Sequence, residues 1–110
     1  MGVAACFCPV RANISCSAAS HYGVGDGYHG RKTANGETYN AYGISAAHRD
    51  YAFGTRLKVT NVANKKSVIV RINDRGPYID GRFVDLSYGA FSAIANPSQG
   101  IITVCIQPVK

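Results

Sequence analysis

Two alternating segments in the middle of the chain, joined by a short polar connection, limit most strongly what it can fold into. In Arg56–Asn61 (RLKVTN), Leu57 and Val59 fall on one side and Lys58 and Thr60 on the other. In residues 67–73 (SVIVRIN), Val68, Val70 and Ile72 share a side. A period of two on both flanks of a polar turn, residues 62–66 (VANKK), predicts an antiparallel hairpin with one face in a core. Asp74-Arg75-Gly76-Pro77 then ends the second strand, because proline has no N–H for a ladder and glycine opens the turn.

Other short elements surround this hairpin. Residues 19–24 (ASHYGV) read as a first strand running into glycines, residues 82–86 (RFVDL) as a short strand, and residues 100–109 as a closing strand. In the closing strand Ile102, Val104 and Ile106 face one way. Ser87 fits the N-cap of a helix over residues 88–95, with Phe91, Ile94 and Ala95 on its apolar face and Asn96-Pro97 as its stop. Residues 25–40 (GDGYHGRKTANGETYN) form a long polar loop with an Asn35-Gly36 turn signal, and loops of this length in compact domains are usually functional. Many short strands and one short helix in 110 residues predict a single mostly-β barrel.

Composition removes several classes. Hydrophobic residues at 46% and charged residues at 16% exclude a disordered chain. A net charge of +6 favours an anionic partner: nucleic acid, a membrane surface or the bacterial wall. Only Arg31-Lys32 and Lys65-Lys66 are adjacent, however, whereas nucleic-acid readers concentrate charge along a helix or stripe, so no nucleic acid is expected. No apolar run approaches the ~20 residues of a membrane helix. Residues 1–17 lack a charged start and a sustained apolar stretch, and read as a leader or truncated export segment ahead of a domain over 18–110. Within them Val3-Ala4-Ala5-Cys6 resembles a bacterial lipobox, which would make Cys6 a lipid anchor; an unstructured leader is the other reading.

Four cysteines are present: Cys6, Cys8, Cys16 and Cys105. The Cys6-x-Cys8 spacing is not a zinc pattern and no His pair accompanies it, so no metal is expected. Sequence does not fix connectivity; a Cys16–Cys105 bridge in an oxidising compartment would tie the leader to the last strand.

There is no Gly-x-Ser-x-Gly elbow, Walker loop or His-Glu-x-x-His, so phosphoryl transfer and metal hydrolysis are unsupported and no cofactor is called for. Acid/base chemistry remains. Cleaving a glycosidic bond needs a carboxyl group to protonate the leaving oxygen, and one acid suffices when the sugar's own hydroxyl is the nucleophile. Asp74 is the leading candidate, rigidly held where an apolar strand runs out; a turn-capping Asp paired with Arg75 or Arg71 is the plain alternative. Glu37 as an exposed loop acid, His48 as a structural imidazole and Asp85 as a strand-end cap are the plain readings of those three. Tyr22, Tyr28, Tyr39 and Tyr78 lie near the polar loops, where rings either stack on sugars or pack at the core edge.

Seven segments, taken in order, resemble the RlpA-like double-psi β-barrel family, bacterial lytic transglycosylases. They are residues 19–23 (ASHYG), 29–37 (HGRKTANGE), 46–48 (AAH), 53–55 (FGT), 59–61 (VTN), 70–77 (VRINDRGP) and 85–87 (DLS). The resemblance implies a six-stranded double-psi β-barrel with one or two short helices and a groove across it. It implies Asp74 as catalytic acid/base, His48 as an essential partner that orients or polarises substrate, and Glu37 as an acid lining the same groove. Tyr22, Thr33, Asn35, Arg71, Arg75 and Asp85 are the substrate-binding positions it suggests, with Arg71 or Arg75 steadying Asp74 or binding the lactyl carboxylate. The implied reaction cuts the bond between N-acetylmuramic acid and N-acetylglucosamine in peptidoglycan glycan strands and leaves 1,6-anhydromuramyl ends. The implied setting is extracytoplasmic, with the chain a monomer. Two departures stand out: His21 replaces a bulky aromatic common in the family, and the chain stops at Lys110 without the glycan-targeting domain many members carry. A non-catalytic, expansin-like wall-loosening module on the same barrel is the alternative.

Overall fold

Residues 14–22, 25–77 and 83–109 are described by a computed structural model. The hairpin forms as its alternation demands. Strands β3 (Arg56–Asn61) and β4 (Ser67–Asp74) pair antiparallel, and Leu57, Val59, Val70 and Ile72 are buried on their shared inner face. Lys65 takes a positive φ of 65° in the connection, whose Asn61 and Asn64 amides both donate to the Ile94 carbonyl. The turn thus caps the C-terminal end of the helix above it.

Strand β1 (Ser15–Tyr22) begins earlier than the sequence suggests and reaches back into the residues read as a leader. It pairs antiparallel with β6 (Ile101–Val109), which places Cys16 opposite Cys105, and the two are joined by a disulfide. Cys6 and Cys8 lie outside the described residues. β5 (Val84–Ser87) pairs parallel with β1; residue 82, read as the start of this strand, also lies outside them.

A strand that periodicity does not reveal, β2 (Ser45–Ala47), slots between β5 and β4. It has three residues, all small and all buried, so it carries neither the length nor the alternation that marks a strand. With it the sheet closes in the order β1-β5-β2-β4-β3-β6, a six-stranded barrel with both parallel and antiparallel neighbours. The six-stranded, mostly-β expectation holds.

Helix α1 (Tyr88–Ile94) plugs one end of the barrel with Phe91 and Ile94. Its N-cap is Ser87, whose hydroxyl accepts from the Ala90 and Ser45 amides and donates to the Gly43 carbonyl. After Asn96 a short 3₁₀ turn over Pro97–Gln99, closed by a capping box, leads into β6.

Candidate active site

The end of the barrel away from α1's core face is organised around Ala47. In β2 it is in register with Asp85 of β5 on one side and Asp74 of β4 on the other. A bulge makes this match. Ala46 faces Ile72, but Ala47 faces Asp74, with Asn73 skipped. Bulges commonly re-aim a side chain in this way. The Ala47 methyl fills little space, and a cavity of about 350 Å³ opens over it, at the small end for ligand pockets. Asp74, Asp85 and Tyr22 line it from the barrel, Tyr28, Arg31 and Lys32 from the long loop, and Arg75, Gly76 and Pro77 from the segment after β4.

The Asp74 carboxylate is held at both oxygens. Oδ1 accepts from the Ala34 and Arg75 backbone amides, each at 2.9 Å. Oδ2 accepts from the Tyr22 hydroxyl at 3.1 Å. Burial, and then the neighbouring Asp74 carboxylate, push the Tyr22 hydroxyl well above its ordinary range, so it stays a proton-bearing donor. Tyr39 stacks on the Tyr22 ring at 4.4 Å and its own hydroxyl donates to the Tyr22 carbonyl at 2.6 Å. Asp85, which lines the same cavity from β5, accepts from the Ser20 hydroxyl.

Other residues singled out by sequence stand behind this cavity. The Glu37 carboxylate accepts a fork of two hydrogen bonds from Arg71, at 2.7 and 2.9 Å, and one from the Asn73 amide at 3.1 Å. Arg71 is exposed and alternates with the inward Ile72, so its pair with Glu37 sits on the outer face of β4, while the Asn73 amide reaches Glu37 from a buried position at the bulge. Arg71, followed by Asn73, lowers the Glu37 carboxyl to about 2. Glu37 therefore latches the loop to β4 and does not line the cavity. Thr33 and Asn35 build the same turn: the Thr33 hydroxyl donates to Asn35 Oδ1 at 2.5 Å, and the Glu37 amide donates there at 3.2 Å. Gly36 closes the turn with its amide on the Thr33 carbonyl and a φ of 89°, a conformation glycine adopts freely.

His48 adjoins Asp74 through the backbone, its amide donating to the Asp74 carbonyl at 3.2 Å. Its ring is buried between Tyr51 and Phe83, and Nδ1 accepts from the Asp50 amide at 3.0 Å. Burial pushes this imidazole below its ordinary value, which keeps it neutral near pH 7. Arg75, in turn, donates from Nη1 to the His48 and Tyr51 carbonyls at 3.1 and 2.6 Å, and its guanidinium lies 4.0 Å from the Phe53 ring centre. Asp74 thus pairs with neither arginine in the way a plain turn cap would; its partners are two backbone amides and a phenol. His21 turns away to the helix side, with Nε2 donating to the Pro97 carbonyl at 2.9 Å and its ring edge-on to Phe91. Tyr78 lies outside the described residues.

Sequence reasoning missed Ala47, Arg31, Lys32 and the shared cavity of Asp74 and Asp85. Their common address depends on β2, which has no periodic signal. The arrangement offers a carboxyl beside a phenol donor, a second carboxyl lining the same cavity, and two tyrosine rings, Tyr22 and Tyr28, in its lining.

Comparison with known proteins gives a consistent answer. The family model described as "Lytic transglycolase" matches residues 14–106. A probable endolytic peptidoglycan transglycosylase RlpA from Synechocystis is 54% identical over 92 residues, covering 84% of this chain and 28% of that one. The endolytic peptidoglycan transglycosylase RlpA of Pseudomonas aeruginosa is 42% identical over 99 residues, covering 90% of this chain and 28% of that one. Among solved structures, a mutant Clavibacter michiganensis expansin in complex with cellohexaose superposes with a TM-score of 0.70 at 25% identity, covering 88% of this chain and 50% of that one. The chain therefore spans little more than a quarter of the length of these two curated relatives.

Proposed function

The chain belongs to the lytic transglycolase family, and on that premise we propose that its cavity cleaves the β-1,4 bond between N-acetylmuramic acid and N-acetylglucosamine in peptidoglycan strands of the extracytoplasmic wall. The observation that carries this reading is the setting of Asp74. Two backbone amides hold Oδ1 and one hydroxyl, that of Tyr22, meets Oδ2, so in this reading Oδ2, the less committed oxygen, exchanges the proton in the cavity.

In the proposed reaction Asp74 donates its proton to the glycosidic oxygen as that oxygen leaves with N-acetylglucosamine. Positive charge grows on C1 and the ring oxygen of the muramyl residue. The C6 hydroxyl of the same residue attacks C1 and gives its proton to Asp74, which is ready for another turn. A C1–O bond breaks, another forms, and no water is consumed. Asp85 contributes negative charge near the developing cation, held in place by Ser20. Tyr22 donates to Asp74 after the proton has left. Glu37, Arg71, Asn73, Thr33 and Asn35 act as positioning residues, because they fix the turn whose Ala34 amide holds Asp74. His48 is a positioning residue as well, ordering the 48–51 turn against which Arg75 and Asp74 rest. The same reading takes the residues ahead of β1 as an export segment with Cys6 as its lipid anchor, and the barrel as acting alone.

Product analysis tests it. Purified chain incubated with sacculi is expected to release fragments ending in 1,6-anhydromuramyl groups, detected by mass spectrometry. Reducing muramyl ends would mean hydrolysis by water. Retention on sacculi without any fragment would mean a wall-binding module of the expansin kind.

A further inference from the structure

The cavity is lined by charges of both signs. The carboxyl groups of Asp74 and Asp85 come from the barrel strands that flank Ala47, whereas Arg31 and Lys32 come from the long loop and Arg75 from the segment after β4. Resting on the glycan-cleaving reading above, we infer that Arg31 and Lys32 form a subsite for a carboxylate carried by the muramyl sugar.

The other cations nearby are committed elsewhere. Arg71 forks onto Glu37 on the outer face of β4, and Arg75 is tied to two backbone carbonyls and to the Phe53 ring. Among the described residues no ion pair joins Arg31 or Lys32 to an acid, and both side chains are exposed at the cavity wall. The backbone beneath them is fixed: the Arg31 amide donates to the Tyr28 carbonyl, the Tyr39 amide to the Arg31 carbonyl, and Lys32 forms a β-bridge with Thr38. The Arg31 guanidinium also lies 5.9 Å from the Tyr28 ring centre. A fixed loop offering two cations costs little reorganisation when an anion arrives.

The chemistry of the substrate gives such a subsite something to bind. N-acetylmuramic acid differs from its neighbour by a 3-O-lactyl group that ends in a carboxylate when no peptide is attached. An attached stem peptide removes that charge and brings carboxylates of its own. Either anion entering the cavity is repelled by the Asp85 carboxylate and drawn to the two loop cations. The wall would therefore orient the muramyl ring across the cavity as well as bind it.

The test reads binding rather than turnover. The disaccharide N-acetylglucosaminyl-β-1,4-N-acetylmuramic acid lacks the scissile linkage, so its affinity for the intact chain can be titrated by NMR. Three forms are compared: free lactyl acid, methyl ester, and the form carrying a stem peptide. The ester is expected to bind about fivefold more weakly than the acid at low salt, as two exposed charge contacts of ordinary strength allow. In the R31Q/K32Q variant that gap falls to about twofold or less, with the amide spectrum reporting an intact fold. If the peptide form matches the acid and loses its advantage in the variant, stem carboxylates also occupy the site; if it matches the ester, the lactyl group alone does. Equal affinity of the intact chain for acid and ester, no measurable binding of any form, or an undiminished gap in the variant overturns the subsite. Failure of the cleavage reading would look different: sacculi would yield no anhydro ends while the charge-dependent gap persisted.

Discussion

Asp74 and Asp85 face one cavity from opposite sides of Ala47, each in register with that alanine on a different neighbouring strand. At a spacing of about 4.8 Å between strands, their backbones stand at most roughly 9.6 Å apart, less the curvature of the closed barrel. The gap is set by strand order, and its emptiness by the size of residue 47.

Ala47→Leu should therefore abolish cleavage while leaving the barrel folded. The larger side chain projects into the cavity, so the stability cost is expected at the low end of about 1–3 kcal/mol for an added bulky group. The measurements are anhydro-product formation from sacculi and the thermal midpoint. Activity near the unaltered level would show that substrate does not enter between the two aspartates.

The latch on the outer face of β4 predicts a pH dependence. Arg71 and Asn73 lower the Glu37 carboxyl to about 2, below its ordinary value of about 4.3 when unfolded. A depressed carboxyl contributes stability that is present above the unfolded value and lost as pH falls through the folded one. Glu37→Gln should thus be less stable than the parent at pH 7, with the difference shrinking between about pH 4.5 and pH 2. Urea unfolding across that range checks it. A difference that stays constant with pH would mean the ion pair contributes nothing.

Gly89 gives a sign that helix propensity alone gets wrong. Replacing a helical glycine with alanine ordinarily stabilises by about 1 kcal/mol. Here an added Cβ would lie 2.6 Å from the Gly43 and Tyr42 carbonyl oxygens, which belong to backbone that cannot easily retreat. Gly89→Ala should instead destabilise by about 1–3 kcal/mol, lowering the thermal midpoint by several degrees in a domain of this size. A raised midpoint would show that the loop before β2 yields freely.

What the sequence makes legible follows from which forces are local. The β3–β4 hairpin, the Ser87 cap and the stop at Asn96-Pro97 are visible because alternation and capping act within a few residues. Asp74 stands out because a long apolar strand ends at it. β2 is hidden, since its three small residues are a strand only by virtue of their neighbours on either side. What depends on β2 is hidden with it: the cavity that Asp74 and Asp85 share, the loop cations that also line it, and where the Glu37 and His48 side chains sit. The ordered motifs name these residues without saying which of them face substrate.

The proton carried by Asp74 is best tested by Asp74→Asn. Asparagine Oδ1 can keep the bonds from the Ala34 and Arg75 amides, so the turn and the fold should survive. Comparing the parent and this variant on sacculi, by mass spectrometry of 1,6-anhydromuramyl ends alongside sedimentation with sacculi, isolates the proton transfer. Loss of anhydro ends by at least about 100-fold, the scale of a positioned acid–base group, with sacculus binding retained, is the expected result. Undiminished formation of anhydro ends by the variant would contradict it.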